Sequence, residues 1–167
     1  TGASYFLSTE DLEQFGYADI NRALRTVPGV NMYEEDGYGL RPNISLRGTS
    51  PQRSSKITLM EDSVLIAPAP YSSPAAYYFP SVLRMQAIEI LKGSSQVQHG
   101  PFTTGGAINL VSTAIPNDFS AKIRSSYGSF NTTQLHTSIG QSFEKTGYML
   151  EYLNYNSDGF KRLGDKE

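Results

Sequence analysis

The spacing of hydrophobic positions changes twice along this chain. In the first thirty residues it is helical: Ile20, Ala23, Leu24 and Val27 recur on one face, Asp19 stands ready as a cap, and Pro28-Gly29 ends the run. Before that segment, Ser8 or Thr9 caps a helix through about Phe15, with Glu10 and Asp11 at its positive end and Gly16 as its stop. Short apolar runs bounded by turn formers then predict strands over Val30 to Tyr33, Asn43 to Arg47, Ile57 to Met60, Met85 to Leu91 and Ala107 to Ser112. Beyond about residue 115 the period becomes two. Phe119, Ala121, Ile123, Ser125 and Tyr127 alternate with Ser120, Lys122, Arg124 and Ser126. Leu135, Thr137 and Ile139 alternate with His136, Ser138 and Gly140, and a third, less regular alternation covers Tyr148 to Tyr155. Three such segments of about ten residues suit either a transmembrane β-barrel or a water-soluble antiparallel sheet with one wet face.

The loops between the early strands are "EEDGYGLRP", "GTSPQRSSK" and "APAPYSSPAAYYFP". Four prolines and three tyrosines in the last exclude a central strand or a long helix, and predict a stiff extended loop that presents rings. Composition narrows the partners. The formal charge is −2 with a pI near 5.7, so nothing draws the chain to nucleic acid. With no cysteine, disulfides and thiolate metal sites are excluded. No apolar run approaches the ~18 residues of a membrane-spanning helix.

Enzyme chemistry finds little support. Gly100-Pro101-Phe102-Thr103-Thr104-Gly105 has the outer spacing of a phosphate loop, but Gly106 and Ala107 stand where the lysine and the magnesium-holding hydroxyl are required. There is no G-x-S-x-G elbow and no H-E-x-x-H helix. Glu34, Glu35 and Asp36 lack the alternation of a calcium loop. His99 and His136 stand alone in the sequence, so no protein metal site is expected.

Four motifs in fixed order carry a more specific signal: "DINRALRTVPGVNM" (19–32), "NISLRGTS" (43–50), "ITLMEDSVL" (57–65) and "MQAIEILKGSSQVQHGPFTTGGAINLVS" (85–112). Their order and spacing resemble the plug domain of TonB-dependent outer-membrane receptors, followed by the first strands of the receptor barrel. The resemblance covers residues 5 to 115. It implies an α+β plug over 1–115, a small mixed sheet with short helices, followed over 116–167 by the first antiparallel strands of a transmembrane β-barrel. Gly100, Gly105 and Gly106 are then structural. Within the family, "GTSPQRSSKITLMEDSVLIAPAPYSSP" is similar to the matching region of ferric-citrate receptors. The chain departs from the family pattern at Asp62-Ser63, where Asp-Gly is usual, and at Lys92, where arginine is usual.

The resemblance further implies an importer of a ferric chelate of citrate or siderophore type, located in a Gram-negative outer membrane and driven through the periplasmic TonB protein. Gln52, Arg53, Ser54, Tyr71 and Ser72 fall in loops that face the ligand. Arg53 is the residue best suited to a carboxylate-rich chelate, because a guanidinium meets a carboxylate in a two-pronged fork. The iron would stay within the chelate, with no cofactor held by protein ligands. Arg47 and Lys92 match plug positions that pair with acids of the inner barrel wall, forming a lock; within residues 1–167 they are expected to lack those acids and to be exposed. The alternatives are a non-iron cargo (cobalamin, a sugar or another metal complex) and a soluble ligand-binding or scaffold module without transport. Three strands cannot close a barrel of about 22, so the receptor reading expects these residues to belong to a longer polypeptide, with the energy-coupling segment ahead of the plug.

Overall fold

The computed structural model describes residues 3–16, 19–35, 39–66, 79–100 and 103–160. The chain divides into two compact units, Thr1–Thr113 and Ala114–Glu167.

In the first unit, strand β1 (Ala3–Leu7) leads into helix α1 (Thr9–Phe15). Ser8 caps that helix reciprocally: its hydroxyl accepts from Asp11 N at 3.2 Å, while the Asp11 carboxylate accepts from Ser8 N at 2.9 Å. Gly16 closes the other end in the left-handed conformation, with its N–H on Leu12 O. Helix α2 (Ile20–Leu24) begins at Asp19, whose side chain accepts from Asn21 N. It stops before Val27, sooner than the apolar spacing suggests, because the residue preceding Pro28 is disfavoured in helical geometry. Val27 is nevertheless buried, in the turn that follows.

Strands β2 (Val30–Tyr33) and β3 (Asn43–Leu46) form a separate two-stranded antiparallel ribbon. Strands β4 (Ile57–Glu61), β5 (Val64–Leu65), β6 (Met85–Lys92) and β7 (Gly106–Ser112) join β1 in a five-stranded sheet ordered β1-β6-β7-β4-β5. The β4–β7 pair is parallel and the remaining neighbours are antiparallel. One face of this sheet supplies Leu7, Ile57, Leu59, Ile88, Ile90, Ile108 and Leu110 to the core. Ile20 and Leu24 of α2 and Ile44 and Leu46 of β3 complete the same cluster.

The Gly105-Gly106 pair permits this layering. A Cβ on Gly106 would lie 2.3 Å from Leu46 Cδ1 and 2.6 Å from Leu91 O; one on Gly105 would lie 2.9 Å from Lys56 O. Any side chain here would push β3 off the sheet. The glycine-rich stretch is therefore a close-approach device and not a ligand cradle.

The second unit is a three-stranded antiparallel sheet of β8 (Ser120–Gly128), β9 (Thr132–Ser142) and β10 (Gly147–Asn156), with β9 central. Register sorts its side chains by face. Ile123, Thr137 and Tyr152 stand in one row, and Ala121, Ile139 and Leu150 in the next. On the opposite face Lys122, Ser138 and Glu151 align, as do Arg124, His136 and Leu153.

Candidate functional site

Among the described residues outside hairpin turns, three that are not glycine have a positive φ: Arg47 at 56°, Arg53 at 52° and Ser54 at 52°. All three are candidates from the sequence. Left-handed backbone costs an L-residue about 1–2 kcal/mol, so each position must be held by its surroundings. The two groups of strain lie at opposite ends of one buried strand, β3.

At the start of β3, residues Gln52–Ser54 form a single 3-10 turn. Its bonds run back to the strand. Arg53 N donates to Asn43 Oδ1 at 2.6 Å, and Asn43 Nδ2 donates to Tyr33 O at 3.4 Å. The Ser54 hydroxyl accepts from Ile44 N and donates to Pro42 O, both at 2.9 Å. Ser54 is 0 % exposed, so its hydroxyl is taken up inside the protein and does not face a ligand, contrary to the sequence-based expectation for this residue. Gln52 and Arg53 are exposed, and the Arg53 guanidinium bonds to no other described residue. The turn thus offers a free guanidinium on a fixed backbone. Tyr71 and Ser72 lie outside the described residues.

At the end of β3, Arg47 N donates to Gly29 O at 2.9 Å. Lys92, at the end of β6, donates its ammonium to Pro28 O and sits 5.6 Å from the centre of the Tyr5 ring. The Pro28-Gly29 turn therefore gathers both lock candidates into one cationic corner. Arg47 is exposed as expected. Lys92 is not fully so: it is half-buried, and that burial lowers its ammonium pKa from the ordinary lysine value. No described carboxylate pairs with either cation. Gly48 continues the turn after Arg47 with φ 77°, but Arg47 itself already bends into the left-handed region.

Ile123, Tyr127, Leu150 and Tyr152 are all exposed on the apolar face of the β8–β10 sheet. Aromatic pairs mark both ends: Phe143 stacks on Tyr148 with centroids 6.4 Å apart, and Phe130 meets Phe160 at 6.4 Å. On the polar face the sequence reading misses one contact. His136, solitary in the sequence, is buried and lies 3.3 Å from Glu151 Oε1. Fifteen residues separate the two, and only the β9–β10 register brings them onto neighbouring strands of one face.

This architecture has close counterparts. The structure of the ferric citrate transporter FecA in its unliganded form superposes with a TM-score of 0.76 at 27 % identity, covering 92 % of this chain and 25 % of that one. The siderophore receptor PiuA from Acinetobacter baumannii shares the fold with a TM-score of 0.72 at 20 % identity, over 92 % of this chain and 20 % of its own. The vitamin B12 transporter BtuB of Photobacterium profundum is 25 % identical over 155 residues, 92 % of this chain and 25 % of its own. The chain thus spans about a quarter of the length of these relatives. The TonB-dependent Receptor Plug Domain family model matches residues 1–107, and the chain belongs to the TonB-dependent receptors, as a plug followed by initial barrel strands.

Proposed function

We propose that this chain is the plug-bearing part of a receptor that imports a ferric chelate of citrate or siderophore type across a Gram-negative outer membrane. The observation that carries the cargo reading is Arg53, an exposed guanidinium with no internal partner among the described residues, on a turn tied to β3. A carboxylate-rich chelate matches that group in charge and geometry. The similarity to the ferric citrate transporter FecA points the same way. Iron arrives inside the chelate as cargo, so the protein needs no metal ligands of its own. Gln52, Tyr71 and Ser72 complete the proposed ligand face, while Ser54 supports it from beneath.

Import requires energy, which the periplasmic TonB protein would deliver. Arg47 and Lys92 would then meet acids of the barrel wall beyond residues 1–167, holding the plug until it is displaced. The exposed apolar face of β8–β10 would lie against outer-membrane lipid.

Titration of the full-length receptor with ferric dicitrate tests the cargo reading. Arg53→Ala should weaken binding roughly 10- to 100-fold, the loss of one or two charge-assisted bonds. A second reading, cobalamin, is favoured by the likeness to the vitamin B12 transporter BtuB. Saturable cobalamin binding that is indifferent to Arg53→Ala, with no ferric dicitrate binding, would replace the first reading by the second.

A further inference from the structure

Asn43 occupies the first position of β3 and is only 5 % exposed. Its side chain serves the adjoining loops: the carbonyl oxygen takes the Arg53 N–H, and the amide reaches Tyr33 O. The turn it holds does not form of itself. Arg53 and Ser54 both have φ at 52°, and neither is the glycine or asparagine that tolerates this conformation. Released from Asn43, the Arg53 backbone would relax towards the right-handed region, and its Cα–Cβ bond would point elsewhere. Ser54 does not share this role. Its hydroxyl bonds to Pro42 and Ile44, so it secures the entry to β3 and not the direction of Arg53.

We infer that Asn43 is a positioning residue that aims the Arg53 guanidinium and so sets the receptor's affinity for anionic chelates. This rests on Arg53 being a ligand contact. Two carboxylate oxygens engage a guanidinium only when its plane and direction are right. A freely rotating arginine leaves the net charge of the receptor unchanged but loses the paired bonds. Affinity should then fall without unfolding the plug.

The test uses full-length receptor and ferric dicitrate, with affinity measured at low and at physiological ionic strength. Asn43→Ala should weaken binding about tenfold and steepen its salt dependence, as a contact ion pair that salt screens little gives way to a diffuse one that it screens more. Asn43→Asp, which keeps an acceptor for Arg53 N but loses the donor to Tyr33 O, should recover part of the affinity. The double variant Asn43→Ala/Arg53→Ala should bind no more weakly than Arg53→Ala alone. Hydrogen exchange across β3 checks that each variant keeps the native plug. If Asn43→Ala does not assemble, Asn43→Thr, with its shorter acceptor, is read against the same expectations. Should Arg53→Ala weaken binding while folded Asn43→Ala matches wild type in affinity and salt dependence, the positioning role is overturned and the ligand reading stands. Should Arg53→Ala itself bind ferric dicitrate like wild type, the ligand reading falls and takes this inference with it.

Discussion

Ile90 in β6 and Ile123 in β8 are the same side chain in the same kind of secondary structure, yet Ile90 is 0 % exposed and Ile123 is 77 % exposed. The difference extends to their whole units. In the plug, one sheet face meets α2 and β3, and the largest aliphatics vanish into that layer. In the three-stranded sheet the aliphatics and tyrosines stand outward in rows, with Leu150 65 % exposed. Leaving such a side chain in water forfeits about 1.5–3 kcal/mol relative to burial. A regular array of them is what the proposed contact with lipid would cover. Burial away from water drives the folding of the plug, whereas the apolar face of β8–β10 is the one proposed to meet lipid. The plug, for its part, leaves Arg47, Arg53 and Lys92 without carboxylate partners among the described residues.

The largest expected effect would show whether Arg47 finds its acidic partners outside the plug. Arg47→Ala in the full-length receptor should strand the proposed wall acids and destabilise plug docking by about 3–5 kcal/mol if those acids are buried. Hydrogen exchange of β3 and β7 amides reports it, alongside ferric dicitrate titration. A variant with native exchange and abolished binding would move Arg47 from the lock to the ligand site.

Next in size is a test of the apolar rows. Ile123→Lys should destabilise the membrane-inserted receptor by about 2–4 kcal/mol if Ile123 lies near the bilayer midplane, measured by reversible unfolding in lipid vesicles. Lys122→Ala, one residue away on the opposite face, should change little. Equal tolerance at both positions would erase the distinction between the two faces and favour a sheet wetted on both sides.

A smaller effect, of opposite sign, is expected in the β4–β5 hairpin. Asp62 and Ser63 both carry left-handed backbone, φ 49° and 67°. Ser63→Gly should stabilise the plug by about 1 kcal/mol, because glycine accepts this conformation without strain. The Ser63 N–H bond to Asn109 Oδ1 is a backbone bond and would survive the change. A destabilised variant would mean that the gain in unfolded-chain entropy outweighs the relieved strain.

These residues also show how far the sequence can be read. Strand β2 falls on the expected Val30–Tyr33, and β6 and β7 within a residue of expectation, because apolar runs bounded by proline and glycine announce themselves locally. Strand β5 escapes the pattern: two residues are too few to show a period, and only pairing with Met60 and Glu61 defines it. Arg47 and Arg53 stand out by charge and motif. Their left-handed backbones do not, since no glycine or asparagine marks those positions. Ser54 reads as one more polar loop residue. Its burial depends on two backbone partners, Pro42 and Ile44, that only the folded turn brings together. Likewise Lys92 finds Pro28 across 64 residues, a contact that no local pattern encodes.

The smallest expected effect separates two carboxylates of the plug by the sign of their pH response. Asp62 accepts from both the Ser112 hydroxyl and Ser112 N, at 2.6 and 2.9 Å, and these bonds hold its pKa below the usual aspartate value. A lowered folded pKa adds stability above the unfolded value of about 4, and that contribution is lost as the pH falls through the folded pKa. Asp19 behaves oppositely. Burial raises its pKa, outweighing the bond from Asn21 N, so the ionised form is a burden at neutral pH and the plug gains stability as the pH falls through the raised value towards about 4. Asp62 is largely exposed, which screens its contribution and keeps the effect small. Replacing each by Asn separates them. Asp62→Asn should lower stability at neutral pH and flatten its loss below about pH 4. Asp19→Asn keeps a good helix cap, so it should raise stability at neutral pH and remove the gain on mild acidification. Exchange protection of β7 amides, followed from neutral to acid pH, reads both. Parallel responses of the two variants would show that burial does not govern Asp19, and that its cap bond to Asn21 outweighs the desolvation of its carboxylate.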